Sequence, residues 1–153
     1  MKVCIAVLDS SGYSMTFVRK HEERLFPAES THIFSGGIPP KMFDGVQVIP
    51  FMDWASRIRR LFRRLLRREM RYRAQEVARL LKLKKIDVVF AEFGGMGVAM
   101  VDACALANVP LVVHFHGIDA YGDDEIGSNG DRYREMFPRC ARVIGVSNHM
   151  MNQ

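Results

Sequence analysis

The chain has 153 residues, of which 22 are Lys or Arg and 17 are Asp or Glu, a formal net charge of +5. With 48% hydrophobic and 25% charged residues its composition is that of an ordinary globular domain with a real core, which excludes wholesale disorder. The charge is unevenly placed: residues 57–85 hold 13 basic and two acidic side chains, whereas the rest holds nine basic and 15 acidic, which argues against a uniformly basic histone-like or ribosomal-type binder.

The elements alternate along the chain. Lys2 to Leu8 is a short β-branched apolar strand ended by the turn cluster Asp9-Ser10-Ser11-Gly12. Residues 14–25 read as a helix, with Phe17, Val18 and Leu25 on or near one side. Thr31 to Ser35 is a short strand closed by Gly36-Gly37, and Gly45 to Pro50 is a better one. Met52 to Lys84 contains no Gly or Pro and is helical in composition, as one helix or two. Ile86 to Ala91 is a strand leading into Gly94-Gly95-Met96-Gly97, and Val98 to Ala107 is an Ala-rich helix. Pro110 opens the strand Leu-Val-Val-His-Phe. A polar loop follows, then a short helix near Asp131 to Phe137 and a strand over Ala141 to Val146. Ser147 is placed to N-cap a last helix. Continuous apolar strands alternating with helices predict one α/β domain, a Rossmann-like parallel sheet of about six strands flanked by helices.

Cys4, Cys104 and Cys140 are odd in number and far apart, with no CxxC and no metal-ligand spacing, which argues against a disulfide framework or a zinc site. Plain buried thiols suit a reducing, cytoplasmic setting. The apolar run 3–8 is too short for a signal-peptide core and Asp9 ends it. No stretch approaches the roughly 18 apolar residues of a membrane span. Peripheral membrane contact stays open.

In parallel sheets ligands gather at the carboxyl ends of the strands, so the informative loops follow Leu8, Ala91, Phe115 and Val146. The first loop lacks GxGxxG, which disfavours a dinucleotide site. It is either an ordinary Ser-capped turn or a place where backbone N–H groups receive an anion or a sugar. Gly94, Gly95 and Gly97 either serve tight strand–helix packing or let a ligand approach the backbone, with Glu92 at the strand end in reach of sugar hydroxyls. His114 and His116 share a sheet face by the two-residue period. A metal pair there needs a third ligand, and only Asp119 stands nearby, so no metal is assigned. At the strand end His116 is either a structural histidine or a general acid/base and hydroxyl contact.

The basic segment is the second strong feature. Ile58, Leu61, Phe62, Leu65 and Leu66 form an apolar stripe, with Arg60, Arg63, Arg64, Arg67, Arg68 and Arg71 on the other side. Nine Arg fall within residues 57–73 against one acid, Glu69. The segment is either a solvated helix face or a contact to an anionic partner, lipid before nucleic acid, since no recognition motif and few aromatics accompany it.

Taken together, Ser14-Met15-Thr16-Phe17-Val18-Arg19-Lys20, IDVVFAEFGGMGV, PLVVHFHGIDAY and ARVIGVSNHMMNQ resemble the N-terminal half of family 4 glycosyltransferases, retaining enzymes of the GT-B architecture with two Rossmann-like domains facing a cleft. The resemblance spans essentially the whole chain and is most specific in its second half. It implies that residues 1–153 are the acceptor-side domain. A C-terminal donor-binding domain, in cis or in trans, would supply most contacts to a nucleotide-diphosphate sugar. The reaction implied is hexosyl transfer to a saccharide or lipid-linked acceptor, with no cofactor and no metal. By the same resemblance His116 lines the cleft near the transferred sugar as the catalytic residue, and Gly12, Glu92, Gly94, Gly95, Gly117, Asp119 and Ser147 contact substrate. Many relatives carry adjacent glycines where this chain has Gly12 alone. The isolated half is expected to be inactive, and the Arg-rich helix to dock it on an anionic membrane, peripherally at the inner face. The rival expectation is a non-enzymatic α/β module binding anionic membrane or nucleic acid.

Overall fold

The computed structural model describes residues 1–8, 20, 21, 23, 24, 31–37, 40–48, 63–117, 119 and 123–151, with the side chains of 63–72, 123–128 and 151 outside that description. Within these residues seven strands form one sheet: β1 (Val3–Ala6), β2 (Thr31–Ser35), β3 (Met42–Phe43), β4 (Val46–Gln47), β5 (Val88–Glu92), β6 (Leu111–Phe115) and β7 (Arg142–Gly145). Their spatial order is β4-β3-β2-β1-β5-β6-β7. From β2 across to β7 every pairing is parallel, as the apolar runs predict.

The strand beyond the predicted six comes from a hairpin. β3 and β4 are antiparallel, joined by Asp44-Gly45 with φ of 49° and 76°. Two successive positive φ values mark the turn type whose twist matches paired strands, and Asp-Gly supplies it at low steric cost. Asp44 also secures the hairpin to β2. Its Oδ1 accepts the Ile33 N–H at 2.8 Å, and its Oδ2 lies 2.8 Å from His32 Nδ1. The expected strand over 45–50 is therefore shorter: Gly45 belongs to the turn, Val46–Gln47 to β4, and residues 49 and 50 lie outside the description.

The helices are α1 (Arg63–Lys84), α2 (Gly94–Ala107), α3 (Asp123–Met136) and the short α4 (Asn148–Met151), with a 3-10 turn at Phe137–Arg139. Lys20, His21, Glu23 and Arg24 are also helical, as expected for residues 14–25. α1 buries Ala74, Val77, Ala78 and Leu81, one face at i, i+3, i+4 and i+7, and packs on α2. α2 and α3 start earlier than the sequence indicates. Gly94, Gly95 and Gly97 form the first turn of α2 instead of a loop before it. α1 and α2 both stop at left-handed residues, Lys85 (φ 56°) and Asn108 (φ 58°). Beyond them the Ile86 N–H reaches the Leu81 carbonyl and the Val109 N–H that of Cys104, each at 3.0 Å, closing the orphan carbonyls of the last turn.

β1 is buried on both faces. Cys4 and Ala6 join the main core with α1, α2 and Phe34, while Val3, Ile5 and Val7 meet Phe90 in a smaller cluster. The chain turns from β1 to β2 on one side and returns through β5 on the other. The strand order therefore changes direction between β1 and β5, the place where sheets of this kind bind ligands at the carboxyl ends of their strands.

Candidate functional site

β5 carries Glu92 at its carboxyl end, paired in register with His114 of β6. The Glu92 side chain is fully buried, and three imidazoles converge on its carboxylate. His21 Nδ1 lies 2.6 Å from Oε1, His114 Nδ1 3.1 Å from Oε2, and His116 Nε2 2.9 Å from Oε2. Burial alone would push the Glu92 carboxyl up. The hydrogen bonds from His114, His116 and His21, with the charge of His21, outweigh it and hold the group at about 2. Glu92 is thus an ionised acceptor, and each ring nitrogen that donates to it carries the proton, which fixes the tautomer of that ring when neutral.

The rings also touch one another. His114 and His116 centroids are 4.3 Å apart and His21 and His114 5.4 Å, with Phe93 at 4.5 Å from His116 and Phe90 at 5.8 Å from His114. Phe93 has φ 75°, rare for a bulky residue. Such backbone strain concentrates where surrounding structure fixes a functional geometry.

Asp119, 4% exposed, ties the next loop to this centre. Its Oδ1 accepts the Gly94 N–H at 3.1 Å and its Oδ2 the His116 N–H at 2.9 Å. Phe93, at the N-cap of α2, provides no side-chain cap, so the Asp119 carboxylate, 25 residues beyond Gly94, does. The start of a helix favours a negative group, and here the chain provides it itself.

His116 stands in the cluster, and it shares a partner oxygen with His114, as the strand period predicts. Glu92 lies beneath the histidines, so a sugar hydroxyl would meet their rings before the carboxylate. The Gly94 N–H is taken by Asp119. A Cβ on Gly94 would come 2.7 Å from the Phe115 ring, and one on Gly97 2.8 Å from both Val113 methyls, so these two glycines allow close packing. Gly95 is partly exposed in the first turn of α2, and Gly117 is exposed with open space around it. Ser147 Oγ accepts the Met150 N–H at 3.2 Å and caps α4, away from the cluster's hydrogen bonds. Gly12 and Arg60 lie outside the described residues, and of Arg63, Arg64, Arg67, Arg68 and Arg71 only the backbone, in α1, is described.

His21 was missed by sequence reasoning. It lies 71 positions from Glu92, and no local spacing links the two. Among the described residues no helix is long and apolar enough to cross a membrane.

Residues 8–153 match the family model for Glycosyltransferase Family 4. No curated protein matches the chain. The chain belongs to glycosyltransferase family 4, and the α/β fold with its mostly parallel sheet agrees with one half of a GT-B architecture.

Proposed function

We propose that this glycosyltransferase family 4 chain is the acceptor-side domain of a retaining hexosyltransferase. It would use a nucleotide-diphosphate sugar held mainly by a C-terminal donor-binding domain, in cis or in trans. The observation that carries the reading is the position of His116, held by its backbone through Asp119 and by its ring through Glu92 at the carboxyl end of the sheet. With Nε2–H given to the buried carboxylate, Nδ1 is the ring nitrogen with which a neutral His116 meets a sugar hydroxyl near the reacting carbon. One anchor, Asp119, closes the residue's own turn and the other, Glu92, comes from β5, so the imidazole is oriented before substrate arrives. In the transfer the anomeric bond to the diphosphate oxygen breaks and a bond to the acceptor oxygen forms. The acceptor proton leaves with the departing diphosphate, whose charge is offset by basic residues of the donor-binding domain.

Gly95, partly exposed, and Gly117, exposed, are the positions where backbone meets the acceptor. The Arg-rich segment over residues 57–71 brings the domain to an anionic membrane on the cytoplasmic side, which suits a lipid-linked or membrane-presented saccharide.

The test is transfer by the domain joined to its donor-binding partner, measured as sugar incorporated into acceptor. His116→Ala should cut turnover on the order of 100-fold or more while leaving the melting transition in place. Unchanged turnover would remove His116 from the reaction.

A further inference from the structure

We propose that His21, Glu92 and His114 form a binding site for a late first-row divalent transition ion, zinc foremost, at the carboxyl end of the sheet. This stands apart from glycosyl transfer and does not rest on it. From sequence a metal is disfavoured because Asp119 is the only third ligand near His114 and His116. The fold changes that: Asp119 is engaged by two backbone N–H groups, while Glu92 from β5 and His21 from an earlier helix arrive instead.

The geometry is close to what an ion needs. The three ligand atoms lie within 4.8 Å of one another, with His21 Nδ1 2.6 Å and His114 Nδ1 3.1 Å from the two Glu92 oxygens. Metal–ligand bonds of about 2.0–2.2 Å set neighbouring donors roughly 3.3 Å apart in a tetrahedron. To reach that spacing the His114–Glu92 contact opens by about 0.2 Å and the His21–Glu92 contact by about 0.7 Å. Two imidazoles and one carboxylate form a borderline donor set that suits zinc and its neighbours, whereas magnesium and calcium ask for oxygen.

The surroundings are also those of a metal site. Glu92 is fully buried, and the side chains of His21 and His114 are 22% and 13% exposed, shielded yet reachable. His116 Nε2 lies 2.9 Å from Glu92 Oε2, the hydrogen bond by which an outer residue orients a ligating carboxylate.

The test uses the chain without a histidine tag, stripped by chelator and titrated with Zn2+ by calorimetry and with Co2+ by visible absorption. One equivalent should bind at micromolar concentration or tighter, with a cobalt spectrum of mixed nitrogen and oxygen ligation. His21→Ala and His114→Ala should each weaken binding at least 10-fold, and His116→Ala less. His32→Ala, at a histidine paired with Asp44 instead, should not. Circular dichroism melts establish that each variant is folded. The proposal is overturned if folded wild-type chain takes up no stoichiometric ion. It is equally overturned if either His21→Ala or His114→Ala binds as wild type.

Discussion

His116 Nε2 lies 2.9 Å from Glu92 Oε2, and that carboxylate is wholly buried while it serves two other imidazoles. Glu92→Gln keeps the shape but replaces an acceptor-only group by an amide with one acceptor oxygen. At least one imidazole N–H then faces a donor or nothing. The variant should lose about 1–3 kcal/mol by chemical denaturation. In the two-domain enzyme it should change the pH profile of transfer as well as the rate, because the tautomers of His21, His114 and His116 are no longer fixed. A rate change with an unmoved profile would mean that Glu92 is merely structural.

Acid stability follows from the same carboxylate. Its folded value of about 2 lies below the ordinary 4.5, so the native state holds the ionised form more strongly than the unfolded chain does. The contribution is fully present above pH 4.5 and is lost as pH falls through about 2. It is on the order of 3 kcal/mol at neutral pH. The stability difference between wild type and Glu92→Gln should therefore shrink across this acid window. A constant difference there would contradict the depressed value.

Two glycines should respond oppositely to the same substitution. A Cβ at Gly97 would sit 2.8 Å from both Val113 methyls and from Met136 Sδ. The valine is a β-branched residue in a strand and cannot rotate aside. Gly97→Ala should destabilise by about 1–3 kcal/mol. A Cβ at Gly117 meets nothing within 4 Å, so Gly117→Ala should stay within roughly 0.5 kcal/mol of wild type. Thermal melts of the two variants decide the point, and equal losses would refute the packing account.

Much of this fold is legible because parallel strands buried on both faces are written as continuous apolar runs. β1, β5 and β6 each lie inside the segment that its run indicates, or within one residue of it, and β7, an edge strand with no buried residue, lies inside its segment too. The hairpin is missed by the sequence reading, which puts the turn residue Gly45 in a strand, and Met42–Phe43 is too short for any periodicity to announce one. The start of α2 was hidden by its glycines, which read as loop until one knows that Phe115, Tyr133 and Val113 press against them. Within the site, His116 could be found from its place at a strand end. His21 could not, because its link to Glu92 exists only after β5 is laid beside β1. The resemblance gives Asp119 to substrate; its two oxygens also hold the chain's own N–H groups, one in its own turn and one, at Gly94, 25 residues away, which no local spacing displays.

The thiols should be nearly inert in the native chain. Burial drives Cys4 far up, with the neighbouring Cys104 and Asp44 adding to it. Cys104 is pushed up to about 12 by burial and then by Cys140. The thiolate is the reactive form, so at neutral pH neither presents a nucleophile. Alkylation followed by mass spectrometry should label Cys4 and Cys104 only after denaturation. Cys140, half-buried and raised less strongly because Arg139 opposes the effect of burial, should label first. Rapid native labelling of Cys4 would show that the β1 core opens readily.

The basic segment gives the remaining prediction, and it separates membrane docking from a solvated helix face. Nine arginines within residues 57–73 face one acid, while the chain outside residues 57–85 is net negative, so attraction to an anionic surface is concentrated in one stretch. Each Arg near an anionic bilayer contributes about 1 kcal/mol, and the attraction fades within a Debye length. The domain should float with vesicles containing phosphatidylserine or phosphatidylglycerol and stay behind with neutral phosphatidylcholine. Replacing Arg63, Arg64, Arg67 and Arg68 by Glu should abolish flotation, and raised salt should weaken it progressively. Equal flotation with neutral vesicles would point to apolar insertion instead. No flotation, together with RNA binding that falls steeply with salt, would transfer the segment to a nucleic-acid partner.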